Sequence, residues 1–295
     1  MKLLIIYNAH AGHKRAGKLL PRVEALLKAR NIEYDLNLTD SHGHGRQIVQ
    51  DADFSAYDAV VAAGGDGTLF EVVNGWFNNP RVRDIPIGVI PVGTGNAFCI
   101  DLNLKTNDIE HAIEIIANGN RRKVDVGKFT TNGNDYYYLN ILGLGFVSDV
   151  GVTAQKLKIF GNVAYLLGVL YQTIFLKASA LEIEIDGEQI KQDNIFVEIS
   201  NSRYTANFLM APNAKIDDGL LDVTLLKKCT RRKLLKSLPT VFTGEHVHLD
   251  IVDTYLAKKI SIKTDSPKIL SPDGELFGST PVEVECLPLA VEVFA

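Results

Sequence analysis

A chain of 295 residues, 46% apolar and 22% charged, has the composition of a soluble globular protein with material for one large or two ordinary domains. Its formal net charge of −4 argues against a nucleic-acid binder, which carries a basic excess. Cys99, Cys229 and Cys286 are odd in number, far apart and without metal-site spacing, so reduced thiols in a cytoplasmic protein are expected.

Residues 3–7 form an apolar run, predicted as the first strand and too short for the core of a signal peptide. The turn Asn8-Ala9-His10-Ala11-Gly12 leads into a helix with Leu19, Leu20, Val23, Leu26 and Leu27 on one side. Residues 32–38 alternate as a strand, and Thr39-Asp40-Ser41-His42-Gly43-His44-Gly45 is a polar turn before a helix over 46–50. The i,i+2 spacing of His42 and His44 in a glycine loop fits exposed turn residues better than metal ligands.

Next comes the stretch around which the chain is organised. The uninterrupted apolar run 59–63 ends in Gly64-Gly65-Asp66-Gly67-Thr68, followed by a helical stripe of Leu69, Val72, Val73 and Trp76. Such glycines permit positive φ and close backbone approach, and the free N–H groups of a helix start attract anions, phosphate above all. Asp66 beside phosphate is repulsive unless a cation, naturally Mg²⁺, lies between them. The bland alternative is a glycine-rich turn with Asp66 as helix N-cap, and these residues leave both open. The run matches neither G-x-G-x-x-G nor G-x-x-x-x-G-K-[ST].

A further buried strand over 85–90 ends at Pro91-Val92-Gly93-Thr94-Gly95-Asn96. Four strands thus end in small, polar turns, which in a parallel sheet share the edge where open α/β sheets bind ligands. A helix over 108–117 and a polar break at 119–123 close this half before Val124-Asp125-Val126-Gly127.

Beyond the break the pattern becomes short alternating runs at 136–142, 181–185, 195–199, 221–226, 259–263 and 282–286, which fit an antiparallel sandwich. Two helical insertions are predicted, 153–177 and 230–243, the second with Thr230 as N-cap. The apolar stretch 159–176 is interrupted by Gly161, Asn162, Gly168, Gln172 and Thr173, and reads as a buried or groove-lining helix rather than a membrane span. Lys215-Ile216-Asp217-Asp218-Gly219-Leu220-Leu221-Asp222 packs three carboxylates around a glycine, which suits a hard cation or, on its own more readily, an acidic hairpin turn. Ser271-Pro272-Asp273-Gly274-Glu275 sets two acids two residues apart, suited to general-base work or equally to an Asp-Gly turn.

Taken in order, Asn8-Ala9-His10-Ala11-Gly12, Gly64-Gly65-Asp66-Gly67-Thr68, Pro91-Val92-Gly93-Thr94-Gly95-Asn96, Asp217-Asp218-Gly219-Leu220-Leu221-Asp222 and Asp273-Gly274-Glu275 resemble the diacylglycerol kinase catalytic family, which includes soluble bacterial lipid kinases, sphingosine kinases and ceramide kinases. The resemblance spans nearly the whole chain. It implies an N-terminal open α/β nucleotide-binding domain over 1–124, a C-terminal antiparallel β-sandwich lipid-substrate domain with inserted helices over 125–288, and a strand over 289–295 returning to the first. It further implies an ATP-dependent lipid kinase, nucleotide and lipid meeting in the cleft between the domains. Under it Asn8, Ala9, His10, Ala11, Gly12, Thr39, Gly64, Gly65, Asp66, Gly67, Thr68, Leu69, Phe70 and Thr94 line the ATP site. Asp66 and Asp125 organise the catalytic Mg²⁺, and Asp273 and Glu275 activate the lipid hydroxyl, which of the two takes the proton being open. A second, structural Mg²⁺ is implied at the Lys215 carbonyl, the Asp218 side chain and the Leu220 carbonyl. Ala9, Phe70 and Ala97 depart from residues common in the family, and none removes a proposed catalytic group.

A lipid acceptor needs an apolar groove, offered by Phe160, Val163, Leu166, Leu167, Val169, Leu170 and Phe175, for which plain core packing is the alternative. Basic clusters at His13, Lys14, Arg15 and Lys18, at Lys156 and Lys158, and at Lys227, Lys228, Arg231, Arg232 and Lys233 offer peripheral membrane contact or are simply solvated faces. The expected partners are a lipid at a membrane surface and, as an open alternative, a second copy in a homodimer; nucleic acid is not among them. Two rival functions stand beside this one. NAD kinase shares the Gly-Gly-Asp-Gly-Thr turn and a two-domain plan, and a non-catalytic lipid-binding or regulatory protein would bind lipid without ATP turnover.

Overall fold

The computed structural model describes residues 1–81, 85–157, 164–205 and 208–295. The chain divides into two compact units, Met1–Val126 with Pro288–Ala295, and Gly127–Leu287. The first alternates strand and helix: β1 (Lys2–Tyr7), α1 (Arg15–Ala29), β2 (Glu33–Leu38), α2 (His44–Asp51), β3 (Ala59–Gly64), α3 (Asp66–Asn78), β4 (Ile87–Pro91), α4 (Ala97–Asp101) and α5 (Ile109–Asn118), followed by β5 (Arg121–Thr131), which runs on into the second unit. Its strands lie in the order β2-β1-β3-β4, every pair parallel. Apart from Lys2, β1, β3 and β4 are apolar because helices cover both faces of a parallel sheet, and they are buried almost end to end.

The second unit holds β6 (Asn134–Tyr138), β7 (Ile141–Gly145), α6 (Phe146–Lys156), α7 (Ala164–Ile174), β8 (Ser179–Ile185), β9 (Glu188–Ser200), β10 (Tyr204–Thr205), β11 (Phe208–Leu209), β12 (Leu221–Lys227), α8 (Arg231–Ser237), β13 (Val252–Ala257), β14 (Lys259–Thr264), β15 (Leu270–Pro272) and the first part of β16 (Val282–Phe294). Its pairings are antiparallel. β9 is the hub: its first half pairs with β8, and its second half with β7 on one side and β12 on the other. A sandwich follows from one long strand serving both layers.

Several elements differ from the sequence reading. The run 136–142 is two strands, interrupted at Leu139 and Asn140. The polar break at 119–123 shrinks to Gly119 and Asn120, because Gly119 caps α5 at φ +73 and β5 begins at Arg121. β13 was not foreseen. The last strand runs through to Phe294, where Val293 pairs parallel to Ile87 of β4. The first insertion begins at Phe146 rather than at 153; Phe160, Val163 and Lys158 lie outside the described residues. Thr230 is the N-cap of α8, its hydroxyl accepting the Lys233 N–H at 3.3 Å. Among the described residues no helix is long and apolar enough to cross a membrane.

Candidate active site

Parallel strands bring the turns after β1, β2, β3 and β4 to one edge of the first unit. The turn after β1 leaves the strand through Gly12, His13 and Lys14, all at positive φ, and α1 starts from that left-handed run. Asn8 ties it down, its Oδ1 accepting the His10 N–H at 3.0 Å while its amide donates to Thr68 Oγ1 at 3.4 Å. Thr39 hangs its N–H on the Tyr7 carbonyl at 2.9 Å, and Thr94 stands exposed.

The turns after β3 and β4 are joined backbone to backbone. Gly93 donates to the Gly64 carbonyl at 2.8 Å and Asp66 donates to the Gly95 carbonyl at 3.0 Å. A Cβ on Gly93 would lie 2.5 Å from the Gly65 Cα, so only glycine permits this approach. Asp66 is the first residue of α3, whose N-cap is Gly65. Its carboxylate reaches across to another helix. Both oxygens accept the Ala97 N–H, at 2.9 and 3.1 Å, at the start of α4. Burial first, and the Asp66 charge second, hold the Cys99 thiol well above its usual range. Thr68, Leu69 and Phe70 are buried, whereas Gly65, Asp66 and Gly67 are half-buried. Asp125 is also buried; its Oδ1 accepts the Leu289 N–H at 2.7 Å and holds the returning strand.

Glu71 was missed by the sequence reading. Its carboxylate accepts the N–H groups of Gly43 at 2.6 Å and Gly45 at 2.9 Å, which start α2, and His42 lies 3.6 Å away. It anchors the turn after β2 to α3. The available signal was a lone acid inside the apolar string Leu69-Phe70-Glu71-Val72-Val73.

In the second unit Asp273 and Gly274 sit at φ +46 and +84, and Glu275 N–H closes the turn on the Pro272 carbonyl at 2.8 Å. Two successive positive φ values mark a type I′ turn, so the Asp-Gly turn and the acid pair coexist. The two acids behave differently. Asp273 is buried, and its Oδ1 accepts from Asn140 at 2.9 Å and Ile141 at 3.0 Å, its Oδ2 from Leu139 at 3.3 Å. Those three donors are freed by the break between β6 and β7. Glu275 is half-buried at the solvent edge of the turn. Beside them, burial and the Asp273 charge hold the Tyr138 phenol protonated, its ring lying where a Cβ on Gly127 would be, 2.1 Å away.

In the acidic turn, Gly219 takes φ +75 and Asp218 Oδ1 accepts the Leu220 N–H at 3.1 Å. Burial, then the Asp218 charge, pushes the Asp222 carboxyl up to about 6. Of the basic cluster near α8, Lys227, Lys228 and Lys233 pair with Asp253, Asp193 and Asp250 at 2.8, 2.9 and 2.6 Å, while Arg231 and Arg232 are exposed.

The same unit contains a pocket of about 740 Å³, counting the part open to solvent, between the sheet at β9 and β12 and the helices α6, α7 and α8. Phe146, Val150, Val169, Phe196, Leu234 and Val252 are among its apolar walls. Of the groove residues proposed from sequence, Val169 lines it, while Leu170 and Phe175 point outward with Tyr171 and Ile174, each 46–60% exposed.

Comparison with known proteins decides the family. Residues 2–129 match the diacylglycerol kinase catalytic domain and residues 140–295 the YegS C-terminal NAD kinase beta sandwich-like domain. A diacylglycerol kinase of Staphylococcus aureus is 33% identical over 99% of this chain and 91% of its own. The chain belongs to the diacylglycerol kinase family. Another member, the diacylglycerol kinase of Mycobacterium tuberculosis, is 31% identical over 99% of this chain and 94% of its own. A crystal structure of a diacylglycerol kinase from Bacillus anthracis matches with a TM-score of 0.80 at 26% identity, covering 99% of this chain and 96% of that one. Membership in this family fixes an N-terminal catalytic domain and a C-terminal β-sandwich domain, and makes the chain a kinase.

Proposed function

We propose that this diacylglycerol kinase family member transfers the γ-phosphate of ATP to the hydroxyl of an acyl lipid such as diacylglycerol. The observation that carries the reading is the pairing, in one family member, of a glycine-built anion edge on the first unit with an acid turn and an apolar pocket on the second. Phosphoryl transfer asks the protein for alignment and charge neutralisation rather than covalent chemistry. The joined turns at Gly64–Asp66 and Gly93–Gly95, which only glycine lets approach so closely, set the N-terminus of α3 at this edge, where its first N–H groups and partial positive charge suit polyphosphate. Asp66, half-buried at that edge, is the residue that would hold Mg²⁺ there, and the ion would supply neutralisation of phosphate charge.

Glu275 is the group assigned to the acceptor hydroxyl. Asp273 has both oxygens turned to backbone N–H groups and keeps the turn in shape, whereas the Glu275 side chain is not spent on the turn. The pocket holds the acyl chain. Leu170, Tyr171, Ile174 and Phe175 on and after α7, with Arg231, Arg232, Leu235 and Phe242 on and after α8, which packs against α7, are the face offered to a membrane surface.

A radiolabelled-ATP assay across diacylglycerol, monoacylglycerol, phosphatidylglycerol, sphingosine, ceramide and NAD tests the reading. Labelled lipid with no labelled NAD is the expected result; labelled NAD alone, or lipid binding without turnover of ATP, would overturn it.

A further inference from the structure

One wall residue of the apolar pocket does not belong there on hydrophobic grounds. Glu198 on β9 is 1% exposed and lines the pocket. Thr205 donates its hydroxyl to Glu198 Oε1 at 2.7 Å, and Ser200 donates to the same oxygen at 3.5 Å. Oε2 takes no hydrogen bond among the described residues. Burial, opposed by the two hydroxyls, raises the carboxyl to about 7. Because Oε1 is already an acceptor twice over, the proton of the neutral acid sits on Oε2, a donor turned into an apolar space. Desolvating a carboxyl costs more than placing a leucine or valine on this wall, and its second oxygen, reachable from the pocket, suits a ligand atom. The other titratable side chain on the pocket, His246, donates Nε2–H to the Met210 carbonyl at 3.0 Å and is kept neutral by burial, so it brings no charge to the cavity.

Strand register connects this carboxyl to the acid turn. Ser271 pairs with Gly143, Gly143 with Glu198, and Glu198 with Thr224, one rung across four strands. Residues directly opposite in antiparallel strands share a face, so Ser271 and Glu198 lie about 10 Å apart at Cα with only a glycine between them. A Cβ on Gly143 would meet Val147, itself a pocket wall, at 3.6 Å. Two residues beyond Ser271 is Asp273, and four beyond is Glu275.

We propose that Glu198 selects the lipid by donating Oε2–H to an acyl carbonyl oxygen of a substrate whose chain fills the pocket, so that acyl lipids are taken in preference to ether lipids and free sphingoid bases. Gly143 adds no side chain between Glu198 and the strand that leads into the turn, so the carbonyl site and the turn lie on one sheet, two strands apart. An ester and an amide carbonyl share this acceptor chemistry, and separate substrates distinguish them. The inference rests on the lipid-kinase reading.

The test uses the full chain in mixed micelles with dioctanoylglycerol, the matching dioctyl ether glycerol, short-chain ceramide and sphingosine, for the parent, Glu198→Gln and Glu198→Leu. The parent is expected to favour the diacyl over the dialkyl alcohol about tenfold in kcat/KM, mainly through KM, the worth of one hydrogen bond to a buried group. Glu198→Gln, whose amide N–H still donates, should keep most of that ratio, and Glu198→Leu should bring it to within about twofold. Equal use of both alcohols by the parent, or an unchanged ratio in Glu198→Leu, overturns the proposal while leaving the lipid-kinase reading standing. Displacement of a fluorescent acyl-ester probe from the same three proteins needs no turnover. Loss of the diacyl preference in Glu198→Leu by displacement, with no lipid phosphorylated by the parent, upholds the carbonyl site and overturns the kinase reading instead. Ceramide used as well as diacylglycerol would place the amide carbonyl on the same donor; rejection of ceramide would assign the site to esters.

Discussion

The carboxylate of Asp66 lies 2.9 Å from the backbone nitrogen of Ala97, so the acid at the start of one helix closes the N-terminus of another. Through that bond, and its own N–H to Gly95, Asp66 holds the turns after β3 and β4 in register. Asp66→Ala should therefore lose a helix cap worth about 1 kcal/mol and, on the proposed role, turnover by about 10²-fold or more. Asp66→Asn retains an acceptor for Ala97 and should recover the melting temperature without recovering the rate. Wild-type rate in Asp66→Asn would remove the charge from the mechanism.

Asp273 and Glu275 should separate cleanly. Truncating Asp273 to alanine leaves three N–H donors at residues 139–141 without their acceptor, at a cost of about 3 kcal/mol or more. Glu275→Ala should leave thermal unfolding within about 0.5 kcal/mol of the parent, as expected of a surface change, and reduce turnover by about 10²-fold or more. Full turnover in Glu275→Ala, measured with the protein shown folded, would contradict its assignment.

The acidic turn makes a separate prediction. Burial and the Asp218 charge raise Asp222 to about 6, a repulsion that a bound cation would relieve. Millimolar Mg²⁺ should raise the melting temperature of the parent and have no effect on Asp218→Ala. A parent melting point indifferent to Mg²⁺ would remove the structural cation from Lys215, Asp218 and Leu220.

Glu198 gives a pH dependence with a definite sign. Its carboxyl is raised from 4.5 to about 7 in the folded chain, so between those values the unfolded chain has released a proton that the folded one still holds. Stability from this group is then highest below about pH 4.5, falls as pH rises to about 7 and is level above, by at most about 3 kcal/mol in total. Glu198→Gln removes the titration. Its melting temperature should rise relative to the parent between pH 5 and 8 by about 5–10 °C, and a constant gap would contradict the buried-acid reading.

The fold was legible where one residue pattern dictated one environment. Residues 59–64 and 87–91 are apolar because both faces are covered, and their glycine ends announced the sheet edge. What escaped depended on partners distant in sequence. Nothing within 136–142 marks the interruption at Leu139 and Asn140, since its cause is a carboxylate 133 residues away. Arg121-Arg122-Lys123 looked like a loop because its strand is exposed at that end and is defined by pairing with the returning β16. Of the site, the glycine turns and the Asp-Gly-Glu turn stood out by their local conformational demands. Glu71 and Glu198 did not, since a lone acid in an apolar string acquires meaning only when its hydrogen-bond partners and its pocket are known.

The central claim is that phosphate passes from ATP to a lipid hydroxyl attended by Glu275. Its most direct measurement is transfer of ³²P from γ-labelled ATP into solvent-extractable product with saturating diacylglycerol, for the parent and Glu275→Gln side by side. Labelled lipid from the parent and a rate about 10²-fold lower or less from Glu275→Gln is the predicted result; equal rates from the two proteins, or label that stays out of the lipid fraction while ATP is consumed on another acceptor, would contradict it.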